Sequence, residues 1–184
     1  MQTTRVPVLK ISSETVARNL EKGGFLRSVA GNEEFDKAVK AVVLMFESGR
    51  GLFVTGDAGC GKTQLLMALR KWLRPCTSLV WYYCKEEKDV CALRWDDDAL
   101  NDIVFIDDIG CEEIIREYGN VVDVIGDFTQ KYHYRGAKRY MASTNLNSER
   151  LNERYGMRFL DRVMEMCVVL KMGGKSKRER LIVK

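Results

Sequence analysis

Apolar positions along this chain follow two different periods, and the way they alternate outlines a fold. Phe35, Ala38, Val39, Val42, Val43 and Phe46 fall at i, i+3, i+4, i+7, i+8 and i+11, one face of a helix. Asn32 is placed to cap that helix, Glu33, Glu34 and Asp36 suit the positive end of its dipole, and Gly49 is placed to stop it. The short apolar run Leu52 to Thr55 then reads as a buried strand entering a glycine-rich loop. A helix leaves the loop, with Leu65, Ala68, Leu69, Trp72 and Leu73 as its buried stripe and Pro75 as its end. Leu79 to Cys84, aromatic and β-branched, is a second strand. Ile103 to Ile106, apolar on both faces, is a third and central one.

Val121, Val124, Ile125, Phe128 and Tyr132 mark a further helix, Tyr140 to Thr144 a fourth strand, Asn147 or Ser148 to Gly156 another helix, and Cys167 to Met172 a fifth strand. Residues 1–31 have weak periodicity and are expected as a short, partly extended N-terminal segment ahead of a single domain over 32–184. Strands alternating with helices predict an α/β fold, a five-stranded, mainly parallel sheet with helices on both faces.

Composition narrows the class. Hydrophobic residues make up 46% and charged residues 30% of the 184, as in ordinary globular domains. No apolar run reaches the roughly 18 residues that span a bilayer, so no membrane partner is expected. Met1 to Lys10 lacks the apolar core of a secretion signal. The six cysteines form no C-x-x-C pair, which argues against a zinc site and for reduced thiols in a cytoplasmic protein. The net charge of +4 is unevenly spread, with 14 Lys/Arg against 5 Asp/Glu from Lys131 to Lys184. That excess fits an anionic partner such as single-stranded DNA, with Tyr132, Tyr134 and Tyr140 as candidates to stack on bases and core packing the better reading for at least one of them, and equally fits arginines that serve a nucleotide.

The candidate chemistry starts in the loop. Gly56, Asp57, Ala58, Gly59, Cys60, Gly61, Lys62 and Thr63 match G-x-x-x-x-G-K-[ST] at every fixed position, between a strand and a helix, with Gln64 next. Glycines let backbone N–H groups turn inward around a phosphate, and the helix N-terminus adds unpaired donors. In this pattern Lys62 reaches the β- and γ-phosphates of ATP and the Thr63 hydroxyl ligates Mg²⁺. The third strand ends in Asp107 and Asp108. The first acid of such a pair holds Mg²⁺, and the second polarises the attacking water. Ser143-Thr144-Asn145 ends the fourth strand, where the Asn145 amide is placed to orient that water.

Further segments carry a family resemblance: Ile106-Asp107-Asp108-Ile109-Gly110-Cys111-Glu112, Ser143-Thr144-Asn145-Leu146, Arg154-Tyr155-Gly156-Met157-Arg158 with Asp161-Arg162, and Gly174-Lys175-Ser176-Lys177-Arg178. Together with the loop they resemble the AAA+ ATPases of the DnaC/IstB type, the bacterial and phage helicase-loader and transposition-helper group. The last three match that family's T-N-L, R-[YL]-G-x-R-x-x-D-R and G-x-S-x-R, and Tyr118-Gly119-Asn120-Val121 is similar to a phage-type branch. The likeness covers about residues 32 to 180. It implies an ATPase of DNA replication, a homo-oligomer when ATP-bound, with a replicative helicase or a transposase as partner. It also implies that Arg162 or Arg158 reaches a neighbouring subunit's γ-phosphate and that Arg178 senses nucleotide in its own subunit. Family helicase loaders carry an N-terminal partner-binding domain, whereas residues 1–31 alone precede the first clear helix here. The segment from Lys85 to Asp102 is also short for the extra helix that some relatives use on DNA.

Two other functions share the loop. A P-loop nucleotide or small-molecule kinase would need a lid insertion that the chain lacks. A non-hydrolysing nucleotide-binding adaptor would have no use for intact Lys62, Thr63, Asp107 and Asp108.

Overall fold

The computed structural model describes residues 9–95, 102–118, 120–134 and 139–173. The elements run α1 (Ser13–Gly23), α2 (Arg27–Ala30), α3 (Asn32–Ser48), β1 (Gly51–Gly56), α4 (Lys62–Leu73), β2 (Leu79–Tyr83), α5 (Glu87–Trp95), β3 (Ile103–Ile109), β4 (Ile115–Glu117), β5 (Asn120–Val122), α6 (Val124–Tyr134), β6 (Arg139–Thr144), α7 (Ser148–Tyr155), α8 (Met157–Met166) and β7 (Cys167–Met172). Five strands form one parallel sheet in the order β2-β3-β6-β1-β7. In β1, Leu52 pairs with Met141 of β6 on one side and with Val168 of β7 on the other.

The sheet is covered on both faces because its central strands are apolar at successive positions. Successive side chains point to opposite faces. Leu52 and Val54 of β1 and Ile103 and Phe105 of β3 join α1, α3 and α4 in one core. Phe53, Val104 and Ile106 join α5, α6 and α8 in the other. The three central strands therefore end on one side between two packed helical layers, which is where an open α/β sheet binds its ligand.

The N-terminal stretch differs from the extended segment expected of it. Residues Ser13–Gly23 and Arg27–Ala30 are helical. Ser12 caps α1, its Oγ accepting the Thr15 N–H at 3.2 Å, and Gly24 stops the helix at φ 102°. Only Val16, Leu20 and Gly23 are buried along α1, a stripe too narrow to register as helical periodicity. Gly23 packs flush on α4, where an added Cβ would lie 2.6 Å from the Ala68 backbone. Phe25, 1% exposed, then stacks on Phe35 of α3 with ring centroids 5.7 Å apart.

Smaller differences have local causes. The third helix begins at Asn32 itself, after Gly31 at φ 83°, with no side-chain cap. Val121 belongs to a β4–β5 hairpin and not to α6. Asp123 accepts the Gly126 N–H at 2.8 Å, which fixes the start of α6 beyond Val121. The crossover from β2 to β3 contains the nine-residue helix α5. Tyr132 and Tyr140 are buried, bonded to the Arg139 carbonyl and to Thr129, so neither is available to stack on a base. Tyr134 is 67% exposed.

Docking of α1 has a measurable consequence. Leu20 is fully buried, so Leu20→Ala should lower stability by about 2–5 kcal/mol, the usual cost of such a cavity. Urea unfolding would show this as a lower midpoint at unchanged slope. A midpoint equal to that of the unaltered protein would mean that α1 is undocked in solution.

Candidate nucleotide-binding site

The loop between β1 and α4 is held open by backbone geometry. Gly56 lies at φ 152°, and an added Cβ would come within 2.0 Å of the Met172 carbonyl oxygen on β7, so no other residue fits. Gly59 and Gly61 take φ 84° and 103°, turning successive amides toward one concavity. Cys60 within the loop is buried, while Asp57, Ala58 and Gln64 are exposed. Lys62, 4% exposed, donates from its ammonium to the Gly56 carbonyl at 2.8 Å, the Asp57 carbonyl at 2.9 Å and Asn145 Oδ1 at 2.7 Å.

The two acids at the end of β3 face different surroundings. Asp107 is 3% exposed, and its Oδ1 accepts the Ser143 hydroxyl at 2.5 Å and the Thr63 hydroxyl at 3.2 Å. Burial raises its pKa above the usual carboxylate value, the nearby Asp108 charge adds to this, and the two hydroxyl bonds work against it. Between Ile106 and Ile109 the pairing with β6 shifts register, and Asp108 sits at φ 60° in this bulge. The bulge re-aims Asp108 toward the cleft, as bulges beside functional sites do. Its N–H donates to Ser143 Oγ at 3.0 Å. Its carboxylate accepts Asn145 Nδ2 at 3.1 Å and forms an ion pair with Lys85. The Asn145 amide has one possible orientation, because Lys62 can only donate and Asp108 can only accept. The result is a polar chain from Lys62 through Asn145 and Asp108 to Lys85.

These groups line a cleft of about 340 Å³, together with Val29 of α2, the loop residues Ala58, Gly59, Gly61 and Thr63, and Gln64. The structure brings the loop residues, Asp107, Asp108 and Asn145 close together. Val29 and Lys85 are additions. No pattern in the sequence marks Val29, which sits in a four-residue helix. Lys85 had a usable signal, since it lies just past a strand end in a parallel sheet.

The expected arginines lie elsewhere. Arg158 is exposed on α8, and neither it nor Arg162 is among the residues lining this cleft. Arg162 Nη1 donates to Glu165 at 2.8 Å, and its guanidinium lies 5.8 Å from the Tyr134 ring centroid. Glu165 also accepts from His133 Nε2 at 2.6 Å. Arg178 falls outside the described residues.

Comparison with known proteins agrees with this geometry at the level of fold. No protein-family model matches the sequence, and no curated protein matches it in sequence. Among solved structures, the DnaC helicase loader aligns with a TM-score of 0.53 at 20% identity, covering 76% of this chain and 90% of that one. A candidate primosome component from Streptococcus pyogenes serotype M3 aligns with a TM-score of 0.54 at 18% identity, covering 81% and 82%. The chain shares the α/β fold of these structures, a five-stranded parallel sheet with a glycine-rich loop after its first strand. Among the described residues, no helix is long and apolar enough to cross a membrane.

The raised pKa of Asp107 gives a signed expectation. A carboxyl that binds its proton more tightly folded than unfolded contributes stability at low pH, and loses it as pH rises through the folded value. Asp107→Asn removes that penalty. At about pH 7 the variant should therefore melt at a higher temperature than the unaltered protein, while Mg²⁺ no longer strengthens its ATP binding. Thermal melts and calorimetry with and without Mg²⁺ would check both halves. A lower melting temperature with intact Mg²⁺ dependence would contradict them.

Proposed function

We propose that this chain binds ATP with Mg²⁺ and hydrolyses it, and that it does so as an oligomer serving DNA replication in the manner of helicase loaders. The observation that carries the reading is the convergence of Lys62, Thr63, Asp108 and Asn145 at one cleft, with the buried Asp107 bonded to Thr63 directly behind it. Fold likeness to a helicase loader supports the replication context.

Each side chain has a distinct task. The loop amides and Lys62 bind the phosphates, Lys62 exchanging its carbonyl acceptors for phosphate oxygens. Thr63 Oγ1 and Asp107 Oδ1, 3.2 Å apart, form the all-oxygen donor pair that suits Mg²⁺. Held by these two oxygens, Mg²⁺ would supply positive charge against the phosphoryl oxygens. Asp108, paired with Lys85 and aimed by Asn145, takes the proton of the attacking water. Arg158 or Arg162, remote from the cleft of its own subunit, completes the cleft of a second copy. The family resemblance gives Arg178, which lies outside the described residues, the part of sensing nucleotide in its own subunit. The basic C-terminal third contacts single-stranded DNA, and a replicative helicase is the protein partner.

Asp108→Asn tests the hydrolytic reading. Asn tolerates the left-handed backbone of this bulge, so the fold and ATP affinity should be retained. Turnover should fall by about 10²–10⁴-fold, because an amide takes no proton from water. Phosphate release at the unaltered rate would remove Asp108 from its role. The same assay run with single-stranded DNA should show stimulation that weakens steeply with salt.

Oligomerisation is tested by mixing variants. Arg162→Ala should bind ATP normally and hydrolyse it poorly, by on the order of 10³-fold, with Arg158→Ala the alternative. Adding Lys62→Ala subunits, which cannot bind ATP but still carry both arginines, should restore activity. Specific activity should also rise with protein concentration. No rescue in mixtures shown to co-assemble would overturn the shared site.

A further inference from the structure

Beyond the end of β3, outside the nucleotide cleft, lies a second concentration of polar contacts. Glu112 is its centre, with a side chain 8% exposed. The Gly110 N–H donates to its Oε2 at 2.8 Å, which folds the loop after Ile109 back on itself. Its Oε1 accepts Arg154 Nε at 3.2 Å, Arg154 Nη2 at 3.1 Å and the Tyr155 hydroxyl. Arg154 Nη2 donates as well to the Glu112 carbonyl at 2.5 Å. Burial first, and then the Glu112 charge, push the Tyr155 phenol far above its ordinary pKa, so the hydroxyl keeps its proton as a donor.

This cluster joins two parts of the molecule that the proposed reaction needs in register. On one side, Gly110 stands two residues past Asp108. On the other, Arg154 and Tyr155 end α7, and Gly156 alone separates them from α8, which carries Arg158 and Arg162. The Tyr155 ring packs 4.8 Å from that of Phe159 in α8. Phe159 in turn meets Phe53 of β1, the strand that feeds the phosphate-binding loop, at 6.4 Å. Glu113 and Ile114 of the same loop face solvent, and the loop is held by Glu112 together with the Cys111 N–H, which donates to the Asp108 carbonyl at 3.1 Å. A buried ion pair adds little stability over apolar packing, but it fixes geometry, and removing one member leaves the other charge without a partner.

We propose that Glu112 is a positioning residue that couples the Asp108 end of β3 to helix α8 and so sets the reach of the arginine donated to a second copy of this chain; this rests on the shared-site reading above. A change in the contacts of Asp108 is passed through Gly110 and Glu112 to Arg154 and Tyr155, and α8 turns with them. Nucleotide binding within the same subunit does not depend on Glu112, which lies outside the cleft lining.

The test compares Glu112→Gln with the unaltered chain, each with its arginines intact and each with Arg158 and Arg162 both changed to Ala. With arginines intact, Glu112→Gln should lower kcat about tenfold and leave KM for ATP within about twofold. On the arginine-free background it should cause no further loss, because both changes remove one coupled contribution. A general structural defect would lower kcat by the same factor on both backgrounds, and that result overturns the proposal, as does an unaltered kcat for Glu112→Gln. Full activity of the arginine-free chain overturns it together with the shared-site reading, and so separates the two failures. If Glu112→Gln loses its cooperative thermal transition, Tyr155→Phe decides. It deletes one hydroxyl bond to Glu112 and keeps the ring against Phe159. It should lower kcat about threefold at constant KM, only with arginines intact. Unaltered kcat, or the same loss on both backgrounds, would again overturn the proposal.

Discussion

A lysine that is 4% exposed has to find acceptors for its ammonium protons, because an unpaired buried charge costs several kcal/mol. Lys62 finds two in the carbonyls of the loop that precedes it and a third in Asn145, on a different strand. This requirement fixes more than one side chain. It draws the loop around the ammonium and brings the end of β6 beside the end of β1. It also orients Asn145 so that its amide nitrogen can point only at Asp108.

The two acids show how position within a strand separates their chemistry. Asp107 continues the regular alternation of β3 and is buried under two hydroxyls. Asp108 would face the opposite layer, the apolar one of α5, α6 and α8, if β3 stayed regular. The bulge and a left-handed backbone turn it instead toward Lys85 and Asn145. A left-handed Asp is unfavourable by roughly 1–2 kcal/mol. Ser143 helps to hold it, since its one hydroxyl donates to the Asp107 carboxylate and accepts the Asp108 N–H. The neighbouring acids are thus placed apart by a single side chain on the adjacent strand.

These features were unequally legible in the sequence. The helices and strands that bury wide apolar faces were read within a residue or two, because burial is what writes the period into the chain: α3, α4, β6 and β7 are examples. The phosphate-binding loop was legible for a different reason, since its geometry admits few residue types. What escaped had neither signal. The α1 helix docks through Val16, Leu20 and a glycine, α2 has four residues, and the β4 and β5 strands have three each. Long-range pairing between polar groups was equally silent. Nothing local in Lys85 or Glu112 announces Asp108 or Arg154 as its partner, because only the order of strands in the sheet brings them together. Tyr132 and Tyr140 were ambiguous in the sequence for the converse reason, as an aromatic near a basic stretch can serve a base or a core. Here the second core claims both.

The partners that Arg162 already has do not disqualify it from leaving them. Its pair with Glu165 is at the surface, with the carboxylate 54% exposed, and solvent screens such pairs. The ring contact with Tyr134 is of the weak kind that solvent-facing sites give. Glu165 is not stranded by the exchange, because His133 still donates to it. A guanidinium that meets a triphosphate in a cleft walled off by a second subunit gains charge-assisted, forked hydrogen bonds of roughly twice the ordinary strength. On the shared-site reading proposed above, the exchange of these surface contacts for phosphate oxygens would therefore favour transfer of Arg162 to a neighbour.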